Sequence, residues 1–247
     1  MKWVLRIFHR TFLIRLSLIL QPLLRWYFRG HQFEDPIDGS QYRKFLPYGY
    51  GEQLRKNALC PGTLSLERHR LLWLYLTRET DFINQSLKVL HLAPEQVFYH
   101  RFKKFHHWDY TTADLCSPLA DIKADICDLP FENNTYDLIL CNHVLEHIPE
   151  DQKAMSELYR VLKKGGTLIA QVPLGKERLK TFEDERIKGR KARAKAVGQY
   201  DHVRIYGKDY YSRLENVGFK TEAFDLISKL NPAEIISFGL QKEKIPV

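Results

Sequence analysis

KADICDLPFENNTYDLILCNHVLEHIPEDQKAMSELYRVLKKGGTLIAQVP, from Lys123 to Pro173, is the stretch on which the fold turns. Tyr136 to Cys141 is an apolar run with aromatic and branched residues, long enough for a buried strand and too short for a helix. A polar segment, Asn142 to His147, follows, and Pro149-Glu150-Asp151 reads as a helix start. Ala154, Leu158, Val161 and Leu162 recur at helical spacing, and Gly165-Gly166 is expected to stop that helix. Thr167 to Val172 then reads as a second buried strand. Strand, helix, strand is a βαβ unit, which implies a parallel sheet with ligands at the carboxyl ends of its strands. The polar cluster around His143 stands at such an end.

Working outward, Leu87 to Leu92 is expected to be a strand, His91-Leu92-Ala93-Pro94-Glu95 the turn after it, and residues 96–105 a helix. A second strand ends at Ala113-Asp114-Leu115 and a third at Asp125. Toward the other end, Asp209 to Val217 reads as a helix closed by Gly218. Lys220 to Ile227 and Glu234 to Gln241 read as two terminal strands.

The pieces Asp125…Asp128-Leu-Pro-Phe131, Tyr136-Asp-Leu-Ile-Leu, His143-Val-Leu-Glu-His147, Leu158-Tyr-Arg-Val-Leu-Lys-Lys-Gly-Gly166 and Gln171-Val-Pro173 stand in this order. Together they resemble the class I S-adenosylmethionine (AdoMet) methyltransferases, and within them the type 11 branch, over roughly residues 82–247. The resemblance implies an α/β fold: a Rossmann-like, three-layer, seven-stranded and mostly parallel sheet ending in an antiparallel hairpin. It also implies AdoMet as cofactor. By position, the family's glycine-rich turn falls on His91, Ala93 and Glu95, so this chain has lost its glycines there. Asp114 matches the residue that accepts hydrogen bonds from the ribose hydroxyls, a task for which an acceptor-only carboxylate is suited. Asp125 matches the adenine acceptor, with Ile126 as an apolar wall, and Asn142 and His143 lie over the reacting centre.

Some roles stay open. His143 is either a general base for a hydroxyl acceptor or a shape residue of the cofactor pocket, since positioning supplies much of the rate in methyl transfer. Asp114 is alternatively the N-cap of a turn. Glu146 and His147 read as a buried ion pair or helix cap. The string His143-Val-Leu-Glu-His147 also fits the HxxEH pattern of one zinc-protease class; that motif needs a helix through His143, so the match is read as coincidence and no residue is assigned to a metal. Asp201-His202-Val203-Arg204-Ile205-Tyr206 alternates polar and apolar residues; His202 is a second catalytic candidate, and His202, Arg204 and Tyr206 together would suit an anionic or hydroxylated acceptor. An edge strand is the plain alternative.

The chain has 247 residues, 44% hydrophobic and 13% aromatic, which predicts a packed core, and a net charge of +8, which favours an anionic partner. Four cysteines without a CxxC pair read as reduced thiols of a cytoplasmic protein. Residues 1–30 hold Lys2, Arg6, Arg10, Arg15, Arg25 and Arg29 and no acid, interleaved with Trp3, Phe8, Phe12, Trp26 and Tyr27. The longest uncharged run there, Leu16 to Leu24, is far short of the roughly 20 residues a spanning helix needs, and no cleavage site follows it. The segment reads equally as an amphipathic helix lying peripherally on the anionic inner face of the cell membrane and as one packed on the protein or on a second copy. Nucleic acid is disfavoured, because the basic run Lys188 to Lys195 has no interleaved aromatics. Residues 31–80 are a turn-rich knuckle and linker helix, the helix running from Ser65, read as its N-cap, to Leu76. Asp35-Pro-Ile-Asp38 and Cys60-Pro-Gly-Thr63 echo each other there, where similar proteins carry paired Cys-Pro-X-Cys; one sulfur of four is a poor zinc set, so a metal-free knuckle is expected.

The domains so read are 1–30, 31–80 and 81–247. The expected function is AdoMet-dependent methyl transfer to oxygen of a small or lipid-linked acceptor, with cell-surface glycan biosynthesis as a setting. The competing reading, motivated by the lost glycines, is a non-catalytic adaptor on the same fold.

Overall fold

Short stretches rich in apolar and branched residues, Leu138 to Cys141 foremost, build parallel strands in the middle of the chain. A computed structural model describes residues 10–49, 54–175 and 177–240; Lys2, Trp3, Arg6, Phe8 and Gln241 lie outside the described residues. The chain divides into two compact units: one holds residues up to Gln85, Glu95–Phe105 and Asp225 onward, the other Ser86–Pro94 and His106–Phe224.

In the first unit, helix α1 (Arg10–Tyr27) leads to two antiparallel pairs, β1 (Arg29–Glu34) with β2 (Gln41–Tyr42) and β3 (Leu46–Tyr48) with β4 (Arg55–Leu59). Phe28, Tyr42, Phe45 and Cys60 form their small core. The two echoing turns are hydrogen-bonded to each other: the Asp35 carboxylate accepts from the Thr63 hydroxyl, and from the Ser65 hydroxyl at 2.7 Å. Burial, reinforced by the nearby Asp35 charge, pushes the Cys60 thiol up to about 12, so it stays protonated at neutral pH. Helix α2 (Glu67–Arg78) carries Arg70, which is fully buried. Its guanidinium donates to the carbonyls of Ala58, Ser65, Phe238 and Gly239 at 2.7–3.2 Å, and it lies 4.8 Å from the centre of the Phe45 ring.

In the second unit the sheet contains β5 (Leu87–Leu92), β6 (Trp108–Asp114), β7 (Ile122–Lys123), β8 (Tyr136–Cys141) and β9 (Leu162–Ile169). Helix α3 (Gln96–Phe102), between β5 and β6 in the chain, belongs to the first unit. The sheet order is β7-β6-β5-β8-β9, all parallel. Strand β8 lies inside the sheet, between β5 and β9, and Leu138, Ile139, Leu140 and Cys141 are fully buried, as a strand covered on both faces requires. Helices α4 (Asp151–Val161) and α6 (Tyr210–Glu215), with α5 (Arg190–Val197) between them in the chain, belong to this unit, and α4 and α6 pack on the sheet through Ala154, Met155, Leu158, Val161, Tyr210 and Leu214. Each fully buried large side chain among them contributes about 1.5–3 kcal/mol.

Three expectations are corrected. Among the described residues the sheet has five parallel strands, not seven, and no terminal hairpin: Lys220 to Asp225 is irregular and residues 232–237 are helix α7 (Pro232–Ser237), in the first unit. The cause is a capping box: Asn231 Oδ1 accepts from the Glu234 amide at 2.8 Å, Glu234 reaches back to the Asn231 amide, and Pro232 opens the helix. Gly165-Gly166 does not end α4, which stops at Val161; Lys163 to Gly166 bulge out between the pairs Tyr136↔Leu162 and Leu138↔Thr167. A side chain at Gly166 would press on the Asp137 carbonyl at 3.0 Å, and Gly165 has φ +80°, so both glycines serve the bulge. Finally, Ser65 does not cap α2; its hydroxyl goes to Asp35.

Candidate active site

The strand order reverses between β5 and β8, so the loops after these two strands flank the crevice where such sheets bind ligands. Both loops place a non-glycine residue in the left-handed region within two residues of the strand end: Ala93 at φ +47° and His143 at φ +54°. Each is held there by its amide, Ala93 donating to the Ala113 carbonyl at 3.0 Å and His143 to the Gln171 carbonyl at 2.7 Å. Such conformations cost of order 1–3 kcal/mol and persist where the surroundings enforce them. Ala93→Gly is therefore expected to hold or raise stability, by up to about 1 kcal/mol, whereas Ala93→Val should lower it by about 1–3 kcal/mol. Urea denaturation of the two variants reads the difference.

Asp114 ends β6. Its Oδ1 accepts from the amides of Cys116, at 2.7 Å, and Ser117, while Oδ2 has no hydrogen bond among the described residues. The turn-capping and ligand-binding readings of Asp114 are thus compatible, one oxygen for each. Asp125 is exposed, with Oδ1 on the Cys127 amide at 2.8 Å, and Ile126 beside it is buried. His91 is fully buried inside β5, in register with Thr112 and Leu140, its Nδ1 2.7 Å from the Tyr110 hydroxyl. That is a core position, and the expected place for His91 in the turn is corrected: the turn starts at Ala93. Glu95 belongs to the first unit, directly ahead of α3.

After β8, Asn142 is buried with neither amide atom hydrogen-bonded, and Gln171 Nε2 is likewise buried and unpartnered. Buried polar groups left unpaired cost about 1–3 kcal/mol each, so a polar ligand satisfying them is a fit for this place. His143 Nδ1 is 3.1 Å from Glu146 Oε1. Burial is the largest single influence and would raise the Glu146 carboxyl, but the bond and charge of His143, a backbone amide and the nearby His147 together outweigh it and hold the group below the ordinary range. A carboxylate accepting from Nδ1–H leaves Nε2 as the lone-pair nitrogen, the arrangement of a histidine base held by an acid.

Leu145–His147 is a single 3-10 turn, so the HxxEH string does not lie on one α-helix. The Glu146 carbonyl accepts from the Val203 amide at 2.9 Å, which brings His202 beside it. His202 is buried, packs edge-on against His147 at 4.7 Å between ring centres, and is held neutral by burial, which lowers its pKa. Arg204 and Tyr206 have other employment than the acceptor contacts expected of them. Arg204 donates to the carbonyls of Leu145, Ile148 and Pro149 and pairs with Glu183 at 2.9 Å. The Tyr206 hydroxyl, its ionisation opposed first by burial, donates to Asp151 Oδ2 at 2.7 Å, and Arg213 grips the same carboxylate with two bonds of 2.6 and 3.0 Å. These donors anchor the turn that carries Glu146 and His147. The sequence reads Glu146 and His147 as a buried ion pair or helix cap; the partner that Glu146 takes in the structure is His143.

Comparison with known proteins bears on this place. Residues 83–170 match a family model described as a methyltransferase domain. This segment has the α/β methyltransferase fold. An uncharacterized protein of Methanocaldococcus jannaschii is 51% identical over 51 residues, 21% of this chain and 22% of its own length. A demethylmenaquinone methyltransferase of Lactiplantibacillus plantarum is 44% identical over 41 residues, 17% of each chain. The ubiquinone/menaquinone biosynthesis C-methyltransferase UbiE of Citrobacter koseri is 42% identical over 48 residues, 19% of each. These matches span about a fifth of the length of the curated relatives. Among solved structures, the [4+2]-cyclase SpnF is 14% identical with a TM-score of 0.50, covering 85% of this chain and 74% of that one. That likeness speaks for the fold alone. The matched segment contains Ala93 and His143, both in the left-handed region, Asp114, and the His143–Glu146 pair.

Proposed function

We propose that this chain is an AdoMet-dependent methyltransferase that methylates an oxygen of a small or lipid-linked acceptor. The observation that carries the reading is the coincidence of the methyltransferase-domain match with the paired left-handed residues, Ala93 and His143, at the point where the strand order reverses. AdoMet, when bound, supplies an electrophilic methyl group on a sulfonium. The residues that would hold it are Asp114 through Oδ2 for the ribose diol, Asp125 and Ile126 for the adenine, and Asn142 through its unpaired amide, with Ala93 allowing close approach. His143, oriented by Glu146, would take the proton of an acceptor hydroxyl; that pair argues for oxygen, although one relative is named a C-methyltransferase. Glycans under assembly fall within this acceptor class. Titration calorimetry of the full chain with AdoMet and with its demethylated product tests the reading. Micromolar binding of both is expected; no binding at millimolar ligand overturns it and leaves the adaptor reading, which predicts capture of a protein partner instead.

The lipid side of the proposal rests on α1. Its exposed Ile19, Leu23 and Trp26 present apolar surface within a segment rich in cations and free of acids. Among the described residues, no helix is long and apolar enough to cross a membrane. A basic residue near an anionic surface contributes about 1 kcal/mol, and apolar burial adds to it. The full chain is expected to sediment with vesicles containing anionic lipid and largely to release in high salt, where the Coulomb part is screened. Sedimentation with neutral vesicles alone, or with none, would remove the peripheral inner-face localisation from the proposal.

A further inference from the structure

Among the described residues one group of potential metal ligands comes together: Glu146, His147 and His202, each offering one donor atom, all within 4.8 Å of one another. Three independent details say that these donors are unspent. Glu146 is 1% exposed; Oε1 is taken by His143, while Oε2 is buried with no hydrogen-bond partner. His147 has Nδ1 3.2 Å from the Asp201 carbonyl, which can accept only from N–H and so leaves the lone pair on Nε2. A ring nitrogen donating to a backbone carbonyl is the way metal-binding histidines are oriented. His202, 5% exposed, makes no side-chain hydrogen bond among the described residues, its partner being the face-to-edge His147 ring. A buried histidine with two unbonded nitrogens beside a buried carboxylate oxygen with none is an unfavourable arrangement unless something positive joins them.

We propose that Glu146, His147 and His202 bind one divalent transition cation of the zinc class, leaving a fourth position open to an oxygen ligand. Two imidazoles and one carboxylate with an open position are the donor set of catalytic zinc, and two imidazoles are a poor set for magnesium or calcium. Ligand bonds of about 2.0–2.2 Å require the three atoms to draw in by about an ångström, a movement within reach of side-chain rotation. The backbone frame is already closed: the Glu146 carbonyl holds the Val203 amide, and Arg204 pins the carbonyls of Leu145, Ile148 and Pro149 on either side. Cation binding is independent of methyl transfer. What the open position would take does rest on that reading: an acceptor hydroxyl, whose oxygen the cation would polarise.

The test uses the full chain, stripped with a chelator and dialysed. Cobalt(II) is titrated while its visible d–d absorption is followed, zinc is then added in competition, and zinc binding is measured separately by calorimetry. One equivalent of cobalt with a saturable spectrum, displaced by zinc, is expected. His202→Ala and Glu146→Gln should each weaken binding at least 100-fold with far-UV circular dichroism unchanged; the isosteric Glu146→Gln keeps the test valid should His202→Ala not fold. His106→Ala, at an exposed histidine elsewhere, should leave binding intact. No 1:1 binding at 0.1 mM metal, roughly the weakest affinity a resident site would show, overturns the proposal, as does wild-type affinity in His202→Ala or its loss in His106→Ala. AdoMet titrated into the same stripped sample reads the methyltransferase proposal by itself, so either can fail without the other.

Discussion

Arg204→Ala is expected to destabilise the second unit by about 3–5 kcal/mol, the cost of leaving buried partners of a charged group unpaired. Arg204 is 3% exposed and its guanidinium serves three carbonyls and Glu183 at once. Removing it strands the Leu145, Ile148 and Pro149 carbonyls together and leaves Asp151, 3.7 Å from the guanidinium, with one arginine fewer. Arg204→Lys keeps the charge but not the planar fork, so it should recover only a minor part. Equilibrium urea denaturation measures both. A loss under about 1 kcal/mol for Arg204→Ala would mean that water replaces the guanidinium and that the turn holding Glu146 is anchored elsewhere.

Asp114→Ala should weaken AdoMet binding by about 10–100-fold, equivalent to losing about 1.4–2.8 kcal/mol, the range for hydrogen bonds to a charged acceptor. The same carboxylate ties the Cys116 and Ser117 amides, so Ala also loosens the turn after β6. Asp114→Asn separates the two effects. Its amide oxygen can keep the turn amides, while the second position changes from an acceptor to a donor facing the ribose diol. Calorimetry should therefore find affinity reduced in both variants, and thermal denaturation should find stability reduced in Ala and near wild type in Asn. Unchanged affinity in Asp114→Asn would remove Asp114 from the cofactor set.

How far the sequence was legible follows from which forces wrote which element. Strands β5 and β8 could be read because a strand buried on both faces is rich in apolar residues, and Leu87–Leu92 and Tyr136–Cys141 are short apolar stretches broken only by Lys88, His91 and Asp137. The C-terminal segment was misread because branched residues around Ile235 suggested a strand, whereas the Asn231-Pro-Ala-Glu234 cap is a local signal of a helix and prevailed. Arg204 and Tyr206 were misplaced for a different reason. Alternation tells which face a side chain takes, but not that the neighbouring chain offers that face three bare carbonyls and a carboxylate. The approach of His202 to Glu146 and His147 was beyond reach altogether, since it depends on a backbone bond, Val203 to Glu146, between distant parts of the chain.

Arg70 carries a consequence for biosynthesis. The carbonyls it needs belong to Ala58 and Ser65 on one side and to Phe238 and Gly239 on the other, the latter among the last described residues to leave the ribosome. Until they emerge, a buried cation in the nascent first unit lacks two of its acceptors, while every strand of the parallel sheet has already been made. The inserted unit can thus mature before the first unit is closed. For some seconds at ordinary elongation rates the segment around Arg70 waits incomplete, and that interval is when chaperones or premature proteolysis would find it.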